Sequence, residues 1–438
     1  LNRPAGVRAT QTAPIRVPAP NTRRGQASAT DSALRAEHQL TLLRGAEAYF
    51  PALVEAVDAA RREVLLETYI FVFDRSVIGV AEALERAAAR GVTVRVVVDG
   101  VGTGDVPLAW QERWRAAGVA WRVFNPARGW RLLMPQRWRR MHRKLCVVDA
   151  RVAFCGGINL LDDYYDPNHG ELDQPRFDFT VRAQGPLVDD VHDTMTRLWA
   201  RLDVMQRARQ HDLDATVRAA RAAARAGSDM NDPGIAASPS KVAGTVAAAL
   251  VLRDNVRFRR RIESSYRLAI SQAQSEILIA NAYFIPGVQL QRALLRAAGR
   301  GVRITLLLQG RYEYFMQHHA SRAVYGMLLE AGIRIIEYAP SFLHAKVAVM
   351  DAPNGALATV GSSNLDPLSL LLAREANVFV RDDAFAAELR GHLIDAIEHH
   401  GRTVDAESHM RRPWTTRGLN WLAYAMMRFA LLVTGKRY

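Results

Sequence analysis

The chain has 438 residues, too many for one ordinary compact domain, so two domains are expected. Hydrophobic residues make up 49% and charged residues 23%, which suits a folded protein with a large core; two cysteines, Cys146 and Cys155, exclude a disulfide scaffold and read as small buried apolar side chains in a reducing compartment. A formal net charge of +14 favours a polyanionic partner, either nucleic acid or an anionic lipid surface, but a merely solubilising surface would carry the same charge.

Residues 1–36 are rich in Ala, Pro, Arg and Thr without apolar periodicity and read as a disordered basic tail. The chain begins at Leu1 rather than Met, so an incomplete or recut start is expected. No secretory signal is visible, and no apolar run reaches the roughly 18 residues that a membrane crossing needs. From Gln39 the pattern turns globular, giving a first domain over 37–205. Its predicted elements are a strand from Glu63 running toward Phe71, a helix over Val80–Arg90 and a strand over Gly91–Gly100. Then Ala117-Gly118-Val119 leads into Phe124-Asn125-Pro126. An Arg/Ala-rich stretch followed by Gly, Ser, Asp and Pro marks a linker over 206–243.

The second domain, 244–404, repeats the first in order: a strand from Glu276 toward Phe284, a helix over Val288–Arg300, a strand over Gly301–Gly310, then Ala331-Gly332-Ile333 leading to Tyr338-Ala339-Pro340. Short apolar strands alternating with amphipathic helices, twice over, predict a duplicated α/β unit with buried sheets packed about a pseudo-twofold axis. Residues 405–438 form a separate amphipathic segment.

Each half carries one His, one Lys and one Asp at the same spacing: His142, Lys144 and Asp149, then His344, Lys346 and Asp351. His and Lys two apart project from one face of a strand, and each Asp ends the apolar run that follows. Small residues and an asparagine come next in both copies, Gly156-Gly157-Ile158-Asn159 and Gly361-Ser362-Ser363-Asn364. Small side chains let the backbone approach an anion, and an Asn amide donates to a phosphate oxygen. A phosphodiester site needs a nucleophile, an acid for the leaving alkoxide and positive charge around the phosphoryl oxygens. Two histidines supply the first two and two lysines the third. With the lysines carrying that charge no metal or other cofactor is expected.

These residues resemble the paired HKD motifs of the phospholipase D superfamily. Met141–Lys144, Ala280–Gly287 and Gly361–Ser369 resemble its cardiolipin synthase B type, and the resemblance covers roughly residues 39–405. It implies the phospholipase D-like α/β/α sandwich, with two pseudo-twofold-related domains sharing one active site. It also implies that one histidine is phosphorylated while the other serves as acid and base, and family habit makes His142 the nucleophile. Asp178 and Glu375 match the acidic residues that hold each histidine by its other ring nitrogen, which fixes one tautomer. Asp149 and Asp351, though counted with the motif, look more structural than catalytic. One departure is Ala352–Gly355, inserted between Asp351 and Gly361, which predicts a longer hairpin tip and unchanged chemistry.

Two segments suit a headgroup boundary. In 129–140, Trp130, Leu133 and Trp138 are interleaved with arginines; in 421–433, Trp421 opens an apolar stretch broken by Arg428. The second is too short to span comfortably, so lying in the interface is expected, with docking on the protein core as the alternative. His318 and His319 read as surface or pocket-lining residues. Glu67 and Asn281, at the ends of equivalent strands, either line the cleft or satisfy backbone groups. The resulting expectation is a phosphatidyltransferase at the bacterial inner membrane, peripheral and bound to anionic phospholipid. It would transfer a phosphatidyl group between two phosphatidylglycerol molecules and release glycerol. A hydrolase or transphosphatidylase with another acceptor, a nuclease of the same superfamily and a non-catalytic scaffold remain open. The apolar segments weigh against nucleic acid as the partner, and oligomeric state is not set by the sequence.

Overall fold

The computed structural model describes residues 34–126, 139–209, 246–254, 258–313, 315–366 and 373–433. Apolar strands from both halves join into one mixed sheet. From its outer edge inward, the first half runs Ala120–Phe124, Thr93–Asp99, Glu63–Thr68, Lys144–Val148, Val152–Gly156, Phe179–Gln184 and Arg35–Arg44. The second half repeats that order in mirror sequence: Arg334–Tyr338, Arg303–Gln309, Glu276–Asn281, Lys346–Met350, Leu357–Gly361, Ala373–Arg381 and Val246–Arg253. Arg35–Arg44 pairs antiparallel with Val246–Arg253, so the sheet is continuous across the pseudo-twofold axis.

The strands Glu63–Thr68 and Glu276–Asn281 are buried on both faces because helices cover both. On the outer face of the first half lie Gly45–Asp58, Ile78–Ala89 and Leu108–Ala117, sealing a core that includes Leu53, Leu84 and Trp114. Their counterparts in the second half are Arg261–Gln272, Val288–Gly299 and Tyr325–Glu330, sealing a core that includes Ile279, Leu294 and Leu306. A third core joins the halves, with Leu187, Val191 and Met195 of helix Leu187–Arg209 and Leu389 and Leu393 of helix Asp383–His400 closing it. Gly91 and Gly301, at φ of 88° and 87°, turn the chain from helix to strand at the same place in each copy, a conformation costly to any side chain with a Cβ.

The expected tail, 1–36, lies outside the described residues up to 33, and Arg35 already belongs to the strand at the sheet junction. Helix Leu187–Arg209 runs past the expected linker start at 206, extended by an i,i+4 pair between Asp203 and Arg207; residues 210–245 lie outside the described set. The tip of the second hairpin is longer, Asp351–Ala356 against Asp149–Arg151, as the insertion predicts. Cys146 and Cys155 are buried and free.

Candidate active site

Both histidines sit just before a strand rather than on it: His142 ahead of Lys144–Val148 and His344 ahead of Lys346–Met350. What holds each one comes from the opposite half. The backbone N–H of His142 donates to the Arg374 carbonyl at 3.0 Å, where Ala373–Arg374 pairs in parallel with Arg140–Met141. The N–H groups of His344 and Ala345 both donate to the Phe177 carbonyl, at 3.0 and 2.8 Å. The residue after each of these clasps is the acid. Glu375 therefore faces His142, its carboxylate oxygens 3.1 and 3.2 Å from Nδ1, while Asp178 faces His344 at 2.6 Å. Each histidine is thus held by the other half's carboxylate.

Around His142 Nδ1 lie that carboxylate and the Ser362 carbonyl at 3.2 Å, both acceptors, so Nδ1 carries the hydrogen and Nε2 keeps its lone pair. Lys144 donates to the carbonyl of His142 at 2.6 Å, and Lys346 to that of His344. Both imidazoles line one cavity of about 690 Å³, together with Asn159, Asn364 and Asp178. Asn159 and Asn364 are buried in its floor, and Asn159 also accepts from the Ile70 N–H at 3.3 Å.

Burial governs the electrostatics. It lowers the Lys144 ammonium to about 7, with Lys346 adding to the effect, and the Lys346 ammonium to about 8. It also pulls His142 below the ordinary imidazole range, opposed by Glu375, and takes His344 well below it, reinforced by Lys346 and Lys144. The two carboxyls diverge. Burial pushes Asp178 up to about 7, whereas for Glu375 the burial effect is outweighed by His142, Lys144 and Ser362, and the group stays below the usual range. Two buried ammonium groups beside the paired imidazoles make the site a cation-rich socket suited to an anion.

Asp149 and Asp351 do not join it. At the far ends of the motif strands, Asp149 accepts from the N–H groups of Arg61, Arg62 and Glu63 at 2.7–2.9 Å, and Asp351 from those of Gln274, Ser275 and Glu276 at 2.7–3.2 Å. Each pins the start of the neighbouring strand. Asn281 likewise serves the backbone, accepting from Leu365 N–H at 3.2 Å, and Glu67 forms a buried pair with Arg143 at 2.6 Å. Two residues went unmarked in the sequence. Asp99 accepts from the Met141 N–H at 2.8 Å, and Gln309, its counterpart, from the Leu343 N–H at 3.0 Å; each anchors the backbone one residue before a histidine. A polar residue closing an otherwise apolar strand, in both copies, was the available signal.

Of the expected membrane contacts, Trp130, Leu133 and Trp138 lie outside the described residues. Trp421 is 65% exposed on helix Trp414–Val433. That helix docks on Phe315–Arg322 through Ala423 and Met427 against Ala320, with His319 Nδ1 2.7 Å from Asn420 Oδ1, and leaves Trp421, Leu422 and Met426 facing outward. His318 accepts from Arg322 at 2.9 Å, and burial drives its imidazole down to about 4. No helix among the described residues is long and apolar enough to cross a membrane.

Residues 53–172 and 266–396 match the family described as "Cardiolipin synthase, PLD-like domain". Over 90% of its length the chain is 36% identical to cardiolipin synthase B of Shigella flexneri, of which it covers 89%, and 35% identical to cardiolipin synthase B of Escherichia coli strain K12 with the same coverage. In fold it is similar to phosphatidylserine synthase from Haemophilus influenzae Rd KW20, with a TM-score of 0.60, 13% identity, and coverage of 92% of this chain and 96% of that one.

Proposed function

The chain belongs to the cardiolipin synthase family of the phospholipase D superfamily, and from that premise we propose that it joins two phosphatidylglycerol molecules through a phosphohistidine at His142. The supporting observation is the convergence of two imidazoles on one cavity, each fixed by a carboxylate of different proton affinity. His142 Nε2 attacks phosphorus while Glu375, held ionised, steadies the cation that forms on the ring. His344, sharing a proton with Asp178, protonates the departing glycerol oxygen. Burial is the main cause of the lowered His344 imidazole and the two lysines add to it; a bound phosphodiester places negative charge beside Lys144 and Lys346 and offsets the lysines' share. In the second step His344 takes the proton from the primary hydroxyl of the second phosphatidylglycerol, whose oxygen displaces His142 from phosphorus. Glycerol and cardiolipin are the products. Asn159 and Asn364 donate to the phosphoryl oxygens, and the lysines neutralise them.

The membrane reading draws on helix Trp414–Val433. Its outward face carries Trp421, Leu422 and Met426, and it rests on Phe315–Arg322, whose Gln317 lines the catalytic cavity. An apolar face beside the mouth lets a lipid headgroup enter while its acyl chains stay in the bilayer. We place the protein on the bacterial inner membrane as a peripheral enzyme, held by anionic lipid and basic charge. The test is incubation with phosphatidylglycerol in mixed micelles and mass spectrometry of the lipids, with a parallel single-stranded DNA digest. Cardiolipin and free glycerol are expected. DNA cleavage without lipid turnover would overturn the reading in favour of a nuclease.

A further inference from the structure

The two halves build the catalytic cavity with unequal walls. The bridges Phe71–Leu160 and Phe284–Leu365 set the register between copies, so Tyr283 stands where the first half has Ile70. Counting from the equivalent turns at Gly100 and Gly310, Glu313 stands where the first half has Thr103. Thr103 is occupied in its own turn, donating to the Tyr69 carbonyl and accepting from the Phe71 N–H, both at 3.0 Å. Glu313 instead lines the cavity beside Gln317, its carboxyl held by the Tyr283 hydroxyl.

A carboxyl is the wrong group for gripping a phosphate, since it repels the anion that the lysines and asparagines attract. It is the right group for hydroxyl donors, and two oxygens on one carbon match two neighbouring hydroxyls. Its place also fits an alcohol rather than an anion. It belongs to the same half as His344 and Lys346, and it is close enough to Lys346 for each to perturb the other's charge. The alcohol that leaves phosphorus, and the one that later attacks it, must both sit beside the group that gives and takes their proton.

We propose that Glu313, positioned by Tyr283, recognises the glycerol headgroup by accepting hydrogen bonds from its hydroxyls, and thereby selects a polyol donor over other phosphatidyl lipids. The proposal deepens the phosphatidylglycerol reading and rests on it. In mixed micelles, kcat/KM is measured for phosphatidylglycerol and for phosphatidylethanol, a donor without headgroup hydroxyls. The ratio of the two should fall at least tenfold in Glu313→Ala, chiefly through KM for phosphatidylglycerol. It should fall less in Glu313→Gln and in Tyr283→Phe, and recover in part in Glu313→Asp. An equal loss for both donors would mean that the Tyr283–Glu313 pair only braces the loop, and an unchanged ratio would remove Glu313 from recognition; either overturns the proposal. If Glu313→Ala does not melt cooperatively, Tyr283→Phe, which keeps the carboxyl, decides by the same ratio. Should the wild-type protein release no glycerol from phosphatidylglycerol yet cleave another phosphodiester, the parent reading fails first. An unchanged ratio in a protein that does make cardiolipin sinks the diol assignment alone.

Discussion

At position 157 a side chain has no room: a Cβ there would lie 2.3 Å from Asp178 Oδ1. Ser362 takes the equivalent place in the second copy and turns the contact to use, donating its hydroxyl to Glu375 at 2.5 Å. Glycine thus accompanies the acid paired with His344, the acid and base of the proposed mechanism, and serine the acid paired with His142, its proposed nucleophile. Gly157→Ser should displace Asp178 and cost about 1–3 kcal/mol of stability, the usual range for overpacking, seen as a lower melting temperature together with reduced kcat. Ser362→Gly should stay folded and lose activity, since it removes a hydrogen bond to a charged group worth about 1.5–3 kcal/mol. Full activity in Ser362→Gly would show that Glu375 needs no such support. His344→Ala should lower kcat by about 10²–10⁴-fold, the ordinary contribution of a general acid and base, while His142→Ala should leave no acid-labile phosphoenzyme in a quench with labelled lipid. A labelled intermediate persisting in His142→Ala would move the nucleophile to His344.

Among the elements, the C-terminal helix combines two of the roles the sequence allowed. Asn420, Ala423 and Met427 face the protein, whereas Trp421, Leu422 and Met426 do not. Trp421→Glu with Leu422→Glu should leave the fold intact and reduce sedimentation with phosphatidylglycerol vesicles at least several-fold, because an interfacial helix binds in proportion to its buried apolar area. Unchanged sedimentation would confine the helix to its docking role. A second element, the strand Glu63–Thr68, carries the buried Glu67–Arg143 pair, and its counterparts in the second half are Ala280 and Ala345. Breaking such a pair by Glu67→Ala typically costs about 3–5 kcal/mol, because an uncompensated guanidinium is left in the core; a denaturant titration measures it.

Taken as a whole, the molecule concentrates charge where its two halves meet. Lys144 and Lys346 titrate near 7 and 8 because each is buried and Lys346 opposes Lys144. Both are charged below those values and lose the charge as pH rises through them. KM for an anionic phosphodiester should therefore climb between about pH 7 and 9, and inhibition by inorganic phosphate should weaken in parallel. A KM flat across that window would contradict the role given to the lysines. Because the proposed mechanism draws its positive charge from the lysines, a chelator should leave the rate unchanged, and loss of activity restored by added divalent cation would point to a metal.

The duplication, the strands around Glu63, Gly91, Glu276 and Gly301, and the two His-Lys pairs were legible because each depends on local pattern: apolar period, glycine stops and fixed spacing. Asp178 and Glu375 were legible as partners of the histidines, but not which held which. That exchange arises where residues before each acid cross the pseudo-twofold axis and clasp the other half's motif, a contact between chain segments more than 160 residues apart. Glu313 was hidden for a similar reason, since a lone polar residue acquires meaning only from what folding sets beside it, whereas Asp99 and Gln309 carried a repeated signal at the ends of equivalent strands. By itself the sequence determined the chemistry's ingredients and their twofold repetition, because these are written in residue type and spacing. Only the tertiary structure decided the pairing of acid with base and the inequality of the cavity's walls, because both are set by packing across the seam.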